Sequence, residues 1–473
     1  MGARPVRIVG DAARRIAEIL DRELAEQVGP DATFEQEQDA AAAITSDALW
    51  VRADQRLRGL VTTSDEVEVD GERYRRLDQA SSATYHSRWG DHPIEEGLYR
   101  KVGVRNGPTI KPIELRAGIV KNMTPDMARI VGELGAEAGS RSVARTLRVT
   151  GLASPSRAFV AKRTTDMASE IADEIERFEQ AARDVEAVPS DVGSVSCGMD
   201  RMAVRMSEPA DAEDPHPAAR TEPYERTPPP AKDHHYRMAW VGSTSIYDRQ
   251  GNELHTWRYA AEASADPATV ASRVAKDVAW ILSAHRRVPI HCVQDGAPEL
   301  RALPAALTRL LPSGTIPVVL VDLEHLLGYL DDVVDACEPE GDPCDWKGWY
   351  RNALLRDDAA IDKIWRKLRR IAANLPGRGT DERRAVAAAL SYIRHRKNRM
   401  RYATHFAANL PIGSGATEST CWQMQQRVKL PGQSWEVGLA GVLAMRGLAL
   451  SDRWTAAWQP YAAKHRKEVR LFA

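Results

Sequence analysis

The chain has 473 residues, 43% of them hydrophobic, enough to build cores in two or three domains. It has no apolar run long enough to span a membrane, and the opening Met1-Gly-Ala-Arg-Pro-Val-Arg lacks a signal-peptide stretch. The five cysteines (Cys197, Cys292, Cys337, Cys344, Cys421) are scattered and form no CxxC pair, so neither a disulfide framework nor a Cys-rich zinc site is indicated and a reduced cytosol is expected. The net charge of −1 conceals an asymmetry: residues 345–473 carry 24 Lys/Arg against 10 Asp/Glu, leaving the remainder near −15. A basic C-terminal third can cover phosphates, whereas any single charge run also reads as a solvated helical surface.

Residues 11–60 read as helices, with apolar positions at helical spacing from Asp11 onward. Residues 66–118 read as strands, with a hairpin at Asp70-Gly71. A helical block starts at Thr124, an N-cap, with Pro125 at the first helical position, and a second starts at Ser154-Pro155. The short helices divided by Gly139 and Gly151 fit both a DNA-reading helix-turn-helix and plain helical packing.

A new block begins near Pro189. Ser194-Val-Ser-Cys-Gly-Met-Asp-Arg-Met-Ala-Val204 predicts a buried strand with Asp200 at its middle. The Pro- and acid-rich stretch from Ser207 to about Asp233 predicts a mobile loop. Tyr236–Tyr247 and Glu253–Tyr259 read as strands around the Asp248-Arg-Gln-Gly251 turn, and Asp266–Arg286 as an amphipathic helix. Val288–Gln294 is a fourth strand ending on Asp295-Gly, Leu300–Leu311 a helix, and Ile316–Val321 a fifth strand of buried parallel character. In Asp322-Leu-Glu-His325 the spacing of three puts Asp322 and His325 on one face if a helix begins there; a solvent-facing His at a helix start is the other reading.

Residues 335–405 read as wholly helical. They carry Trp346, Trp349 and Trp365, as core anchors or base-stackers, and the basic run Arg394-His-Arg-Lys-Asn-Arg-Met-Arg401. In Leu410-Pro-Ile-Gly-Ser-Gly-Ala-Thr-Glu-Ser-Thr-Cys421 the Pro and glycines delay the helix until Gly415, so Glu418 falls in its first turn. A carboxylate there either complements the helix dipole or holds a metal ion close to a phosphate. In chain order the acids are a strand-centre Asp, a strand-tip Asp and a helix-borne Glu. That is the ligand order of an RNase H-like nuclease core, in which hard carboxylates hold paired Mg²⁺ ions for phosphodiester chemistry.

On Ser196-Cys-Gly-Met-Asp-Arg-Met-Ala-Val, Gln294-Asp-Gly-Ala-Pro-Glu, Val321-Asp-Leu-Glu-His-Leu-Leu-Gly-Tyr, Arg399-Met-Arg-Tyr and the Pro-Ile-Gly-Ser-Gly…Glu run, the chain resembles bacterial DDE transposases of the ISKra-type insertion-sequence family. The likeness continues through Gln-Arg-Val-Lys, Ser434-Trp435 and Arg446-Gly-Leu-Ala-Leu-Ser-Asp-Arg-Trp454, covering roughly residues 190–460. It implies that Asp200, Asp295 and Glu418 form a catalytic triad holding two Mg²⁺ ions, with Mn²⁺ able to substitute. It also implies an active-site supporting role for Asp322 and His325, and contacts between the helical insertion and transposon ends.

The DNA-binding set expected on this basis is Arg394, Arg396, Lys397, Arg399, Arg401, Arg427, Lys429 and Trp435, the last either bracing its loop or stacking on a base. The implied partners are double-stranded DNA (terminal inverted repeats and target) and at least one further copy of the chain, in a cytoplasmic, nucleoid-associated setting without a membrane. Many relatives carry zinc-ribbon cysteine pairs near residues 66–118; this sequence has none, so no metal is expected there.

The expected fold class is α/β. It comprises a helical region (1–65), a small β-rich region (66–120), a helical region (121–188) open to a helix-turn-helix DNA-binding reading, an RNase H-like core (189–334, with the loop 207–233), a helical insertion (335–405), and the final core part with a basic tail (406–473). The other functions open to such a chain are a domesticated or inactive transposase-derived DNA-binding protein, an RNase H-like metal-dependent nuclease, and a scaffold.

Overall fold

The structure, a computed structural model, describes residues 10–29, 31–153, 155–209, 232–337, 345–375 and 380–472. Most of the loop expected to be mobile (residues 210–231), Ser154 and Cys344 lie outside the described residues. The protein is mixed α/β with two five-stranded sheets, and it divides into two compact units. Among the described residues no helix is long and apolar enough to cross a membrane.

The first unit comprises Met1–Met167 and Trp458–Ala473. Helices α1 (Asp11–Gln27) and α2 (Phe34–Arg58) occupy the stretch read as helical, and α2 opens on a capping box between Thr33 and Gln36. Strands β1 (Glu66–Val69) and β2 (Glu72–Ser87) meet across Asp70-Gly71, whose φ angles of 52° and 79° are those a type I′ turn demands. Next come β3 (Gly90–Lys101), β4 (Thr109–Ile110), α3 (Pro112–Ala117), α4 (Pro125–Glu137), α5 (Ser140–Val149) and, as far as Met167, the first part of α6 (Arg157–Asp173).

Thr124 and Pro125 take the expected positions at the start of α4, but the Thr124 hydroxyl donates to the Asp126 carboxylate (2.6 Å) instead of accepting a backbone N–H. The α5 helix buries Val143, Ala144 and Leu147 and exposes Arg141, Arg145 and Arg148. One expectation is corrected here. Residues 406–473 are not one piece of the core with a basic tail, because Val469–Phe472 pairs antiparallel with β1 (Glu66 opposite Phe472) and completes the sheet of this unit.

The second unit, Ala168–Ala457, holds α7 (Ile175–Val185), β5 (Ser194–Pro209), β6 (Lys232–Tyr247), β7 (Glu253–Ala261), α8 (Pro267–Ala284), β8 (Ile290–Gln294), α9 (Ala302–Leu310), β9 (Val318–Val321) and α10 (Leu323–Cys337). Four helices follow: α11 (Trp346–Arg356), α12 (Ala360–Asn374), α13 (Asp381–Arg394) and α14 (Ala403–Ala407). Then come α15 (Gly415–Val428) and α16 (Leu439–Leu450).

The sheet order is β7-β6-β5-β8-β9, with the first three strands antiparallel and β8 and β9 parallel to β5. Alternation along β5 decides what each face meets. Val195, Cys197 and Met199 pack with α8 and α9, while Met202 and Val204 pack with α15 and α16. Helices α11, α12 and α13 pack with α10 in a separate apolar cluster, into which Trp346 and Trp365 are tucked; Trp349 is 44% exposed.

A buried ion network ties α7 and α8 to the end of α16. Asp277 accepts from Arg183 (2.5 Å), Arg453 (2.5 Å) and the Tyr259 hydroxyl, and Arg453 also grips Glu186 (2.8 Å). Arg273 forks onto Glu179 (2.6 Å).

Candidate active site

The parallel register of β5 and β8 pairs Val195 with Ile290 and ends with Cys197 opposite Cys292. Asp200 and Asp295 each lie three residues beyond that last pair, so two neighbouring strands of the same direction carry the acids side by side. The third acid arrives on α15. Gly198 of β5 lets this helix close down: a side-chain carbon there would overlap Thr417 Oγ1 and sit 2.7 Å from Val293 O. The close approach is pinned by Thr417 Oγ1 to Ser243 Oγ of β6 at 2.7 Å. Glu418, one residue on, stands exposed in the first turn of α15.

Asp200 Oδ1 accepts from the Arg201 N–H (2.7 Å), and the Cys421 thiol points at its Oδ2 (3.7 Å). Burial pushes the Asp200 carboxyl above its ordinary value and the negative charge of Asp295 adds to the rise, while the Arg201 N–H, Cys421 and His325 oppose it. Burial and then the charges of Asp200 and Glu418 push the Cys421 thiol up, so Cys421 is protonated beside Asp200. Asp295 is one residue past the end of β8, and its Oδ1 caps a tight turn by accepting the Ala297 N–H (2.7 Å). Among the described residues no group of three or more His, Cys, Asp or Glu side chains is gathered as a metal cage.

Asp322 is buried (1% exposed) just before α10, and its two oxygens have different partners. Oδ1 accepts the His325 N–H (2.7 Å), while Oδ2 takes both the N–H and the hydroxyl of Ser414, the latter at 2.7 Å. The same hydroxyl lies 3.0 Å from Glu418 Oε1. A hydroxyl carries one proton, so Ser414 donates to only one of these carboxylates at a time. Asp322 therefore holds the loop that launches α15. The His325 ring is exposed beside Tyr329 and Tyr392.

The basic residues separate into different roles. Arg394 and Lys429 are exposed. Lys397 and Arg401 pair with Asp362 (3.2 and 3.7 Å). Arg399 is lowered from its ordinary value by burial and by the charges of Arg396 and Arg301, which marks a positive cluster. Arg396 instead donates to Gly296 O (3.0 Å), beside Asp295.

Arg427 is corrected. It is 6% exposed and held down to about 10 by burial and by Arg446, so it is part of the interior and not a phosphate-contacting surface. Trp435 braces its loop: its indole donates to Val428 O (2.9 Å) and its backbone bonds Arg205 O and the Ser207 N–H.

Sequence reasoning missed Tyr392, Cys421 and Ser414. Ser414 and Cys421 lay inside a motif already singled out, whereas nothing local marks Tyr392.

The first unit holds a second polar constellation, Asp54–His92–Ser87, with His92 3.3 Å from Asp54 and 2.9 Å from Ser87. Ser87 is 2% exposed, donates to Gly90 O and accepts the Trp89 N–H, so it locks the β2–β3 turn and offers no nucleophile to solvent. Comparison with protein-family models finds no match for this chain, and comparison with curated proteins finds none either.

Proposed function

We propose that this chain is a DDE transposase of the ISKra-type insertion-sequence family, cutting and joining DNA at an RNase H-like site. The sheet supports the fold reading: three antiparallel strands followed by two parallel ones, in the order β7-β6-β5-β8-β9, with α11–α14 inserted before the helix that bears the third acid. The observation that carries the functional reading is the register that sets Asp200 beside Asp295, together with α15 laid over Gly198 so that Glu418 rises at the same end.

The donor chemistry fits a hard divalent cation. All three groups are carboxylates, and the half-buried Asp200 bears the charge of Asp295 with no Lys or Arg ion pair of its own among the described residues. Asp200, Asp295 and Glu418 would hold two Mg²⁺ ions (Mn²⁺ substituting), which when bound polarise the phosphodiester and lower the pKa of an attacking water or 3′-hydroxyl. The remaining groups do positioning work. Asp322 anchors Ser414, Ser414 restrains Glu418, and protonated Cys421 donates toward Asp200. Exposed Arg394, Lys429 and Arg301, with half-buried Arg399, offer positive charge to duplex DNA, both terminal inverted repeats and target. Joining two DNA ends calls for an assembly of at least two chains.

The test is strand cleavage of DNA carrying the source element's terminal repeats, with Mg²⁺ or Mn²⁺, by wild type and Glu418→Gln. Cleavage at the repeat boundary by wild type alone is expected. Equal cleavage by both removes Glu418 from the triad; specific binding without cleavage by either moves the reading to a domesticated DNA-binding protein.

A further inference from the structure

Of the three acids, Asp200 lies inside a strand and Glu418 inside a helix, so backbone hydrogen bonding restrains both. Asp295 has no such support, because it follows Gln294, the last residue of β8, and Gly296 after it adopts φ +81°. A carboxylate in that position swings with the backbone of its own turn unless something outside the sheet holds it. The structure supplies that hold from the helical insertion. The Tyr392 hydroxyl, on α13, donates to Asp295 O at 2.6 Å, and Arg396 Nε donates to Gly296 O at 3.0 Å. Two consecutive carbonyls are thus tethered, which fixes the peptide plane leaving Asp295, while its own Oδ1 is tied to the Ala297 N–H.

The tether is itself rigid. The Tyr392 ring stacks on Tyr329 (centroids 4.3 Å apart, 25° between planes). The Arg396 guanidinium lies 4.5 Å from the Tyr392 ring centroid and bonds Tyr392 O at 3.3 Å. On the other side, the Asp322 N–H holds Gln294 O at 2.8 Å. The absence of a side chain at Gly296 is required for this contact, since a Cβ there would fall 2.7 Å from Arg396 Nε.

We infer that Tyr392 and Arg396 are positioning residues that set the Asp295 carboxylate for divalent-cation binding, so that the helical insertion is part of the metal site's scaffold. This rests on the carboxylate reading proposed above. Outer-shell groups that orient metal ligands typically change affinity by roughly 10- to 100-fold when removed. Because Tyr392 and Arg396 act through the main chain of the ligand, the lower end, about 10-fold each, is expected.

The experiment is calorimetric titration of the full chain with Mn²⁺, alongside thermal melting without metal, for wild type, Tyr392→Phe, Arg396→Lys and Asp200→Asn. The expected pattern is loss of Mn²⁺ binding in Asp200→Asn, with about 10-fold weaker binding in Tyr392→Phe and Arg396→Lys at unchanged stoichiometry. Loss of binding in Asp200→Asn with wild-type affinity in the other two overturns the clamp and leaves the carboxylate reading standing, whatever their melting temperatures. Wild-type binding by Asp200→Asn overturns both. Arg396→Lys keeps the charge and removes the planar fork, so it decides the question should Tyr392→Phe fail to fold.

Discussion

Replacing Gly198 by alanine adds a single methyl group where β5 and α15 meet, and its effect can be worked from the contacts. The new carbon would overlap Thr417 Oγ1 and stand 2.7 Å from Val293 O. Ordinary carbon–oxygen contact requires about 3.4 Å, so β8 would have to yield by about 0.7 Å even if Thr417 moved away. Neither neighbour yields readily. Thr417 is 3% exposed and bonded to Ser243, and Val293 is held in register with Leu320 of β9. Overpacking of this kind costs about 1–3 kcal/mol, and disrupting the Thr417–Ser243 bond adds about 0.5–1.5 kcal/mol. A loss of about 1.5–4.5 kcal/mol corresponds to a melting point lower by roughly 2–7 °C for a unit of this size.

The displaced helix carries Glu418 with it, so a positional error approaching 1 Å should also depress metal-dependent activity by about 100-fold. The assay is thermal melting of Gly198→Ala, Thr417→Ala and the double variant, followed by strand cleavage with the folded proteins. Thr417→Ala removes the worse overlap, so the double variant should lose less stability than the sum of the singles, recovering part of the loss but not the share set by Val293 O. Wild-type melting by Gly198→Ala, or strict additivity in the double variant, would refute the reasoning.

Two further outcomes are expected. Asp277→Asn should destabilise the second unit by about 3–5 kcal/mol, because Arg183 and Arg453 stay buried without their shared carboxylate; a denaturation midpoint close to wild type would contradict this. Glu96, in the first unit, is raised from 4.5 to about 7 by burial and by the Glu114 charge, against the Ile113 N–H that lowers it. An acid whose folded pKa is raised stabilises the fold most below its unfolded pKa. Its contribution is lost as pH climbs from 4.5 toward about 7, at no more than about 1.4 kcal/mol per pH unit. Glu96→Gln should remove that dependence; urea unfolding of both proteins between pH 4.5 and 8 checks it, and parallel profiles would count against it.

Much of the local architecture was legible in the sequence because local stereochemistry writes it there. Period-2 alternation marked β5 and placed Asp200 at its middle, and Asp-Gly marked the β1–β2 turn. Pro125 and the Gly-Ser-Gly run marked helix starts, the last putting Glu418 in a first turn. These signals depend on backbone sterics and side-chain direction within a few residues.

What the tertiary structure alone decided is which residues meet. The pairing of Val469–Phe472 with β1 joins segments about 400 residues apart, and no property of either announces the other. The same holds for Tyr392 on Asp295, Arg396 on Gly296 and Asp277 between two arginines. An arginine in a sequence states a charge and not its surroundings. Arg427 in a basic segment read as a phosphate contact, yet packing put it in the interior beside Arg446, while Arg394 stayed in solvent. Element type follows from short-range sterics, whereas burial and partnership depend on how complete elements stack, and that is settled only when the whole chain has folded.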